Sequence, residues 1–292
     1  MTNVIAERAP LAGPESLAAP PAGRRDEFWR GLWVVAYREL LRLAHDKARL
    51  ASSLAQPLLF FVMFGAGFKR AIGGMAPGVD FIQFLFPGII AQTVFMTSIF
   101  SGLSVVWDRE FGFLRELLVA PISRFGIVAG KVVGGAILAV AQAAVVLCLG
   151  PFLKVHLTLE IILTVIPLLV LFSFALSSLG ILMASRISSQ QGFQMMMQLF
   201  IMPMIFLSGA FFPLNNVPPW LSVVSRLNPL TYGVDAIRHA FLDPVAKAGA
   251  HPLPFNVVWF GHAMTLWEDA AVIGVIGAGL LAAAIQAFSS QE

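Results

Sequence analysis

From Leu50 onward the apolar residues come in long blocks separated by short polar segments, neither alternating as in a half-buried strand nor forming one stripe. A bilayer core of about 30 Å takes roughly 20 apolar residues of helix. Charge-free windows of that size fall at 50–68, 81–106, 132–153, 161–185, 195–213 and 270–288, which predicts six transmembrane helices. Pro57, Pro87, Pro167 and Pro203 lie inside windows, where each predicts a kink. The expected fold class is an all-α polytopic membrane protein, with a single transmembrane domain over residues 27–290.

Composition agrees with the pattern. Of 292 residues 58% are hydrophobic and only 12% charged, with a mean hydropathy of +0.82, where a soluble domain carries about 25% charge. Net charge is only +3, so the position of the positive residues says more than their sum. With both termini cytoplasmic, 13 of the 19 Lys and Arg residues fall on the inner side, which sets the expected orientation. Residues 1–26 read as a flexible Ala/Pro-rich tail without the apolar core of a signal peptide.

Two cytoplasmic segments stand out. Over 28–49, Trp29, Leu32, Trp33, Ala36, Leu40 and Leu43 share one helical face, and Arg38, Arg42, His45, Asp46 and Arg49 the other. Such a helix just before a span is expected to lie in the membrane interface, either as an anchor or as a lever to the first span. The second segment, "DREFGFLRELLVAPISR" at 108–124, predicts a helix over Asp108–Val119 stopped by Pro121. Its charges alternate in sign, which suits a protein-docking element better than a lipid-binding cluster.

Catalytic chemistry finds little support. "GIVAGKV" at Gly126–Val132 misses a phosphate-binding loop by one residue of spacing and lacks its hydroxyl. Gly126, Gly130 and Gly134 fit close helix packing instead. His45, His156, His239, His251 and His262 are scattered, so no metal site is expected, and Cys148 stands alone. No G-x-S-x-G elbow accompanies the serines. The six windows hold no Asp, Glu, Lys or Arg, which disfavours an ion-coupled carrier without excluding one. Gln56, Gln92, Gln142, Gln194, Gln198 and Gln286 are the amides within windows, each able to bond a neighbouring helix. Gln191, Gln194 and Gln198 with Met195 and Met202 form a ridge that suits either varied amphipathic ligands or ordinary packing. Beyond Pro213, "LNNVPPWLSVVSRLNPLTYG" predicts two short helices separated by a break, with Asp235 and Arg238 spaced to pair on the second. Residues 243–267, with Trp259 and Trp267, read as an outer loop with interface anchors.

The segment 108–124 closely resembles the cytoplasmic loop of type-2 ABC transporter permeases, in particular their drug-resistance exporter branch. "PMIFLSGAFFPLNNVPPWLSVVSRLNPLTYGVDAIRHAFL", Pro203–Leu242, resembles the fifth span and outer re-entrant segment of the same family. The resemblance covers about residues 28–290. It implies that the loop after span two is a coupling helix docking on a separate ATPase subunit. Asp108, Arg109, Glu110, Phe111, Leu114, Arg115 and Glu116 would make that contact. It implies that the 28–49 helix is the family's connector. Gln191, Gln194, Met195, Gln198 and Met202 would line the translocation path, and Gly209, Pro213, Asn228, Pro229 and Tyr232 the outer gate.

On this reading the chain is not an enzyme and holds no cofactor. ATP and Mg belong to the partner ATPase, and a second permease copy, membrane lipid and a small-molecule substrate complete the partners, with no nucleic acid. The expected function is outward transport of a drug- or antibiotic-like amphipathic molecule across the cytoplasmic (inner) membrane. Export of a lipid-linked glycan or lipo-oligosaccharide is the alternative within the family. An ion-coupled secondary carrier and a non-transporting scaffold are the alternatives outside it.

Overall fold

The computed structural model describes residues 81–112, 124–153, 155, 157–214, 217–249, 257–259 and 262–289, with 29, 32–34, 36–38, 41, 55 and 57–63 nearer the N-terminus. Among these, the described residues within 29–41, an N-terminal helix, and within 55–63 are helical, and the helices that follow are α1 (Phe81–Ser101), α2 (Leu103–Glu110), α3 (Arg124–Cys148), α4 (Leu159–Ser185), α5 (Gln190–Leu207), α6 (Pro219–Arg226), α7 (Pro229–Gly249) and α8 (Leu266–Ser289). A two-stranded antiparallel ribbon, β1 (Val258–Trp259) with β2 (His262–Ala263), precedes α8.

Four stretches are long and apolar enough to cross a membrane: Phe81–Glu110, Phe125–Cys148, Leu159–Ser185 and Leu266–Phe288. They correspond to the second, third, fourth and sixth expected spans. Most of the first expected span lies outside the described residues. The fifth forms α5, whose four glutamines dilute its apolar content, and it is not among the four.

Helix α4 is the centre of the bundle and packs on α1, α3, α7 and α8. Its 27 residues reach about 40 Å, enough to cross the apolar layer. The Thr158 hydroxyl opens it by accepting from the Ile161 amide at 3.3 Å. At the start of α8, Glu268 reaches back to accept from the Thr265 amide at 2.8 Å and its hydroxyl at 3.0 Å, the carboxylate half of a capping box.

Backbone approach holds the bundle together at two points. A Cβ on Gly102 would overlap the Gly180 carbonyl oxygen, and one on Gly180 would overlap that of Ile99. The α1–α2 junction and α4 therefore touch backbone to backbone, the packing that small residues permit between membrane helices. Gly88 meets the Ala210 carbonyl in the same way, locking α1 to the turn after α5. Gly135 carries a tight contact of α3, against Ser101 and Ser177. Gln142 accepts a hydrogen bond from Thr97, tying α3 to α1 as expected for an amide at membrane depth.

Three expectations are corrected here. Asp108 does not start a separate helix: Asp108–Glu110 form the last turn of α2, continuous with span two, and Gly112 turns the chain with φ +77°. The third span begins at Arg124, so Lys131 lies inside it, and the second and sixth contain Asp108 and Asp269. Windows drawn to avoid charge leave such residues out by definition. Within 243–267 the described residues are not all loop, since α7 runs on to Gly249 and the ribbon occupies Val258–Trp259 and His262–Ala263.

Candidate functional site

Asp108 and Arg109, at the end of span two, turn toward the bundle. Asp108 is buried, and its Oδ2 accepts from Lys131 Nζ at 2.6 Å and from an Arg38 Nη at 2.8 Å. Lys131 is only 1% exposed and also donates to the Ser104 hydroxyl at 3.1 Å. A buried ammonium of this kind persists only with a counter-charge and hydrogen bonds. Three elements therefore meet at one carboxylate: the N-terminal helix through Arg38, α2 through Asp108 and α3 through Lys131. Arg38 belongs to the polar face read from the 28–49 periodicity, and Ala36, on the apolar face, is buried.

Arg109 adds a fourth connection. Its guanidinium donates to the Ile187 carbonyl at 3.0 Å and the Ser185 carbonyl at 3.2 Å. These acceptors close α4 and precede Ser189, whose hydroxyl caps α5 by accepting from the Gly192 amide at 3.2 Å. The next two residues face outward: Glu110 is exposed and Phe111 is 77% exposed. Leu114, Arg115 and Glu116 lie outside the described residues. The seven residues expected to contact a partner thus divide, with two holding the bundle and two presented to solvent among those described.

On α5, Phe193, Met197, Ile201 and Ile205 recur every four residues and are buried. Gln191, Gln194, Met195, Gln198 and Met202 occupy the opposite side and are all exposed. They make one amide-and-thioether face that the single chain leaves uncovered.

At the far end of α5, Gly209 adopts φ +74°, in the left-handed region that suits glycine. Its carbonyl accepts from an Arg238 Nη at 2.8 Å, while that guanidinium stacks 4.2 Å from the Phe84 ring centroid. Asn228, in the break between α6 and α7, donates to the Met204 carbonyl at 2.7 Å and accepts from the Leu230 amide at 3.0 Å. It thereby satisfies a C-terminal carbonyl of α5. Tyr232 donates to the Arg226 carbonyl at 2.6 Å and accepts from Trp259 Nε1 at 3.2 Å. Pro229 is the first residue of α7, where its fixed φ and missing N–H fit. Pro213 lies half-buried in the preceding turn. Of the five outer positions, Gly209 and Asn228 thus hold the end of α5, and Tyr232 holds the end of α6 to the ribbon.

Arg238 and Asp235 take other partners than each other. Asp235 accepts from the Val257 amide at 2.7 Å. Burial raises its carboxyl above the ordinary range and lowers the Arg238 guanidinium to about 10, still cationic at neutral pH. At His239 burial opposes the charge, but the Asp243 hydrogen bond and the adjacent Asp235 outweigh it and raise its pKa. Sequence reading missed Lys131, Ser104, His239 and Asp269. Only the Asp235–His239–Asp243 spacing of four could have drawn notice.

Residues 30–242 match the family described as ABC-2 type transporter. A transport permease, ycf38, of Cyanophora paradoxa is 33% identical over 219 residues, covering 73% of this chain and 75% of that protein. The inner membrane transport permease YadH of Escherichia coli K12 is 31% identical over 221 residues, 74% of this chain and 84% of YadH. YbhR of the same strain, described as a multidrug ABC transporter permease, is 31% identical over 185 residues, 63% of this chain and 49% of YbhR. A match across most of the chain, together with long apolar helices packed on one another, identifies an integral membrane protein that belongs to the ABC-2 type transporter family.

Proposed function

We propose that this chain is the membrane-spanning permease of an ATP-driven exporter, with six spans and both termini cytoplasmic. It works as a homodimer and moves an amphipathic, drug-like molecule outward across the cytoplasmic membrane. ATP and Mg are bound by a separate ATPase subunit that docks on residues 108–119. The multidrug description of YbhR supports the substrate class, and the positive-inside count supports the orientation.

The observation that carries the reading is the abrupt change at the end of α2. Asp108 and Arg109 are tied to three other elements, and Glu110 and Phe111, immediately after, are exposed. A force applied beyond Glu110 enters a helix that cannot move alone. It reaches α3 through Lys131, the N-terminal helix through Arg38, and the α4–α5 turn through Arg109. The last connection leads to α5, whose exposed Gln/Met face lines the path in this proposal. ATP-driven closure of the partner needs only to favour one of two arrangements of these coupled helices.

Glu110→Lys and Arg115→Glu test the docking assignment. Each is expected to abolish ATP-dependent transport in proteoliposomes holding the ATPase subunit, with insertion and dimer size unchanged. Unaltered transport in both variants would overturn the docking role. Transport that follows an imposed ion gradient without ATP would overturn the ATP-driven reading.

A further inference from the structure

We propose that Asp235 and His239 on α7 and Asp269 on α8 bind one divalent transition-metal ion of the zinc type, clamping the outer helix to the last span. The first observation is geometric. One ligand atom from each residue lies within 4.8 Å of the other two, and all three residues are buried. A tetrahedral zinc site with bonds near 2.0–2.1 Å sets its ligand atoms about 3.3 Å apart. Side-chain adjustments of about an ångström close the difference.

A second, independent observation points to a ligand. Asp269 is fully buried, and neither carboxylate oxygen has a hydrogen-bond partner among the described residues. A carboxylate in that position requires a cation or a proton. His239 is 6% exposed, and its Nε2 is likewise buried without a partner among the described residues.

The surroundings are arranged as around a metal ligand set. His239 Nδ1 lies 3.1 Å from Asp243 Oδ1, so with the proton on Nδ1 the lone pair is left on Nε2. A carboxylate that orients a histidine through its other nitrogen is the usual outer shell of a zinc ligand. Val257 N–H fixes Asp235 in a similar way at 2.7 Å. Three carboxylates, Asp235, Asp243 and Asp269, surround the imidazole. The neighbouring cation Arg238 is engaged by the Gly209 carbonyl and the Phe84 ring. One imidazole with two carboxylates suits zinc, manganese or cobalt, whereas calcium takes six to eight oxygens.

The test uses the purified full-length permease in detergent, stripped with EDTA and titrated with Zn²⁺ and separately with Co²⁺. Expected are about one Zn²⁺ retained per chain after dialysis, visible d–d absorption with Co²⁺ that Zn²⁺ displaces, and a higher Tm with metal. Asp269→Asn and His239→Gln should each weaken binding at least tenfold. Asp243→Asn, which removes only the orienting partner, should weaken it about 10–100-fold and keeps the test open if a ligand variant misfolds. No stoichiometric metal on the folded wild type would overturn the proposal. So would Asp269→Asn binding Zn²⁺ as tightly as wild type, or a Tm that responds to acid but not to metal.

Discussion

Replacing Asp108 with asparagine would remove a carboxylate shared by Lys131 and Arg38 while nearly preserving its shape. At 2.6 Å and an effective dielectric constant of about 20, the Lys131–Asp108 attraction is worth roughly 6 kcal/mol before desolvation is subtracted. Removing one partner of a buried pair costs about 3–5 kcal/mol, because the survivor stays buried and charged. Lys131 is only 1% exposed. For a chain of this size that loss lowers Tm by about 10 °C, read by thermal unfolding in detergent. Lys131→Met should cost less, because Asp108 keeps Arg38 as its counter-ion. The double variant Asp108→Asn/Lys131→Met should recover much of the loss, since an apolar replacement of a buried pair is often neutral. The favourable coupling in that cycle is the diagnostic quantity. Additive effects, or an Asp108→Asn Tm within about 1 °C of wild type, would refute the claim that this carboxylate neutralises a buried charge.

Gly102→Val places a side chain where the first added carbon already overlaps the Gly180 carbonyl, so the contact between the α1–α2 junction and α4 must open. Loss of monodisperse protein on size-exclusion chromatography is expected, and a normal elution profile with unchanged Tm would contradict the backbone contact. Met195→Cys in a Cys148→Ser background should cross-link into dimers with a short bismaleimide, because Met195 is 72% exposed on the uncovered α5 face. Monomer alone would count against that face as the seam between two copies.

Much of the architecture is legible in the order of residues alone. Four of the expected windows coincide with long apolar helices, because a bilayer imposes a length and a composition that each segment must satisfy by itself. The start of α6 and the break before α7 are equally local, since Pro218 and Pro219 at the first and the Asn228–Pro229 pair at the second dictate backbone angles to their neighbours. The loop at 108–124 declares itself as charge in an apolar chain.

Which of those charges face inward is a tertiary decision. Asp108 and Lys131 are 23 residues apart, and their pairing depends on how α2 lies against α3. A charge count treats a buried Lys131 and any solvated lysine or arginine alike. Gly102 and Gly180 read as ordinary small residues until the helices cross. Asp235, His239 and Asp269 lie on two helices joined through the ribbon, and only the packing of α7 on α8 gathers them. Chain-local rules determine where a segment is apolar, helical or broken. Long-range packing decides which polar groups lose water together, and so where charges must be paired and a cation can be held.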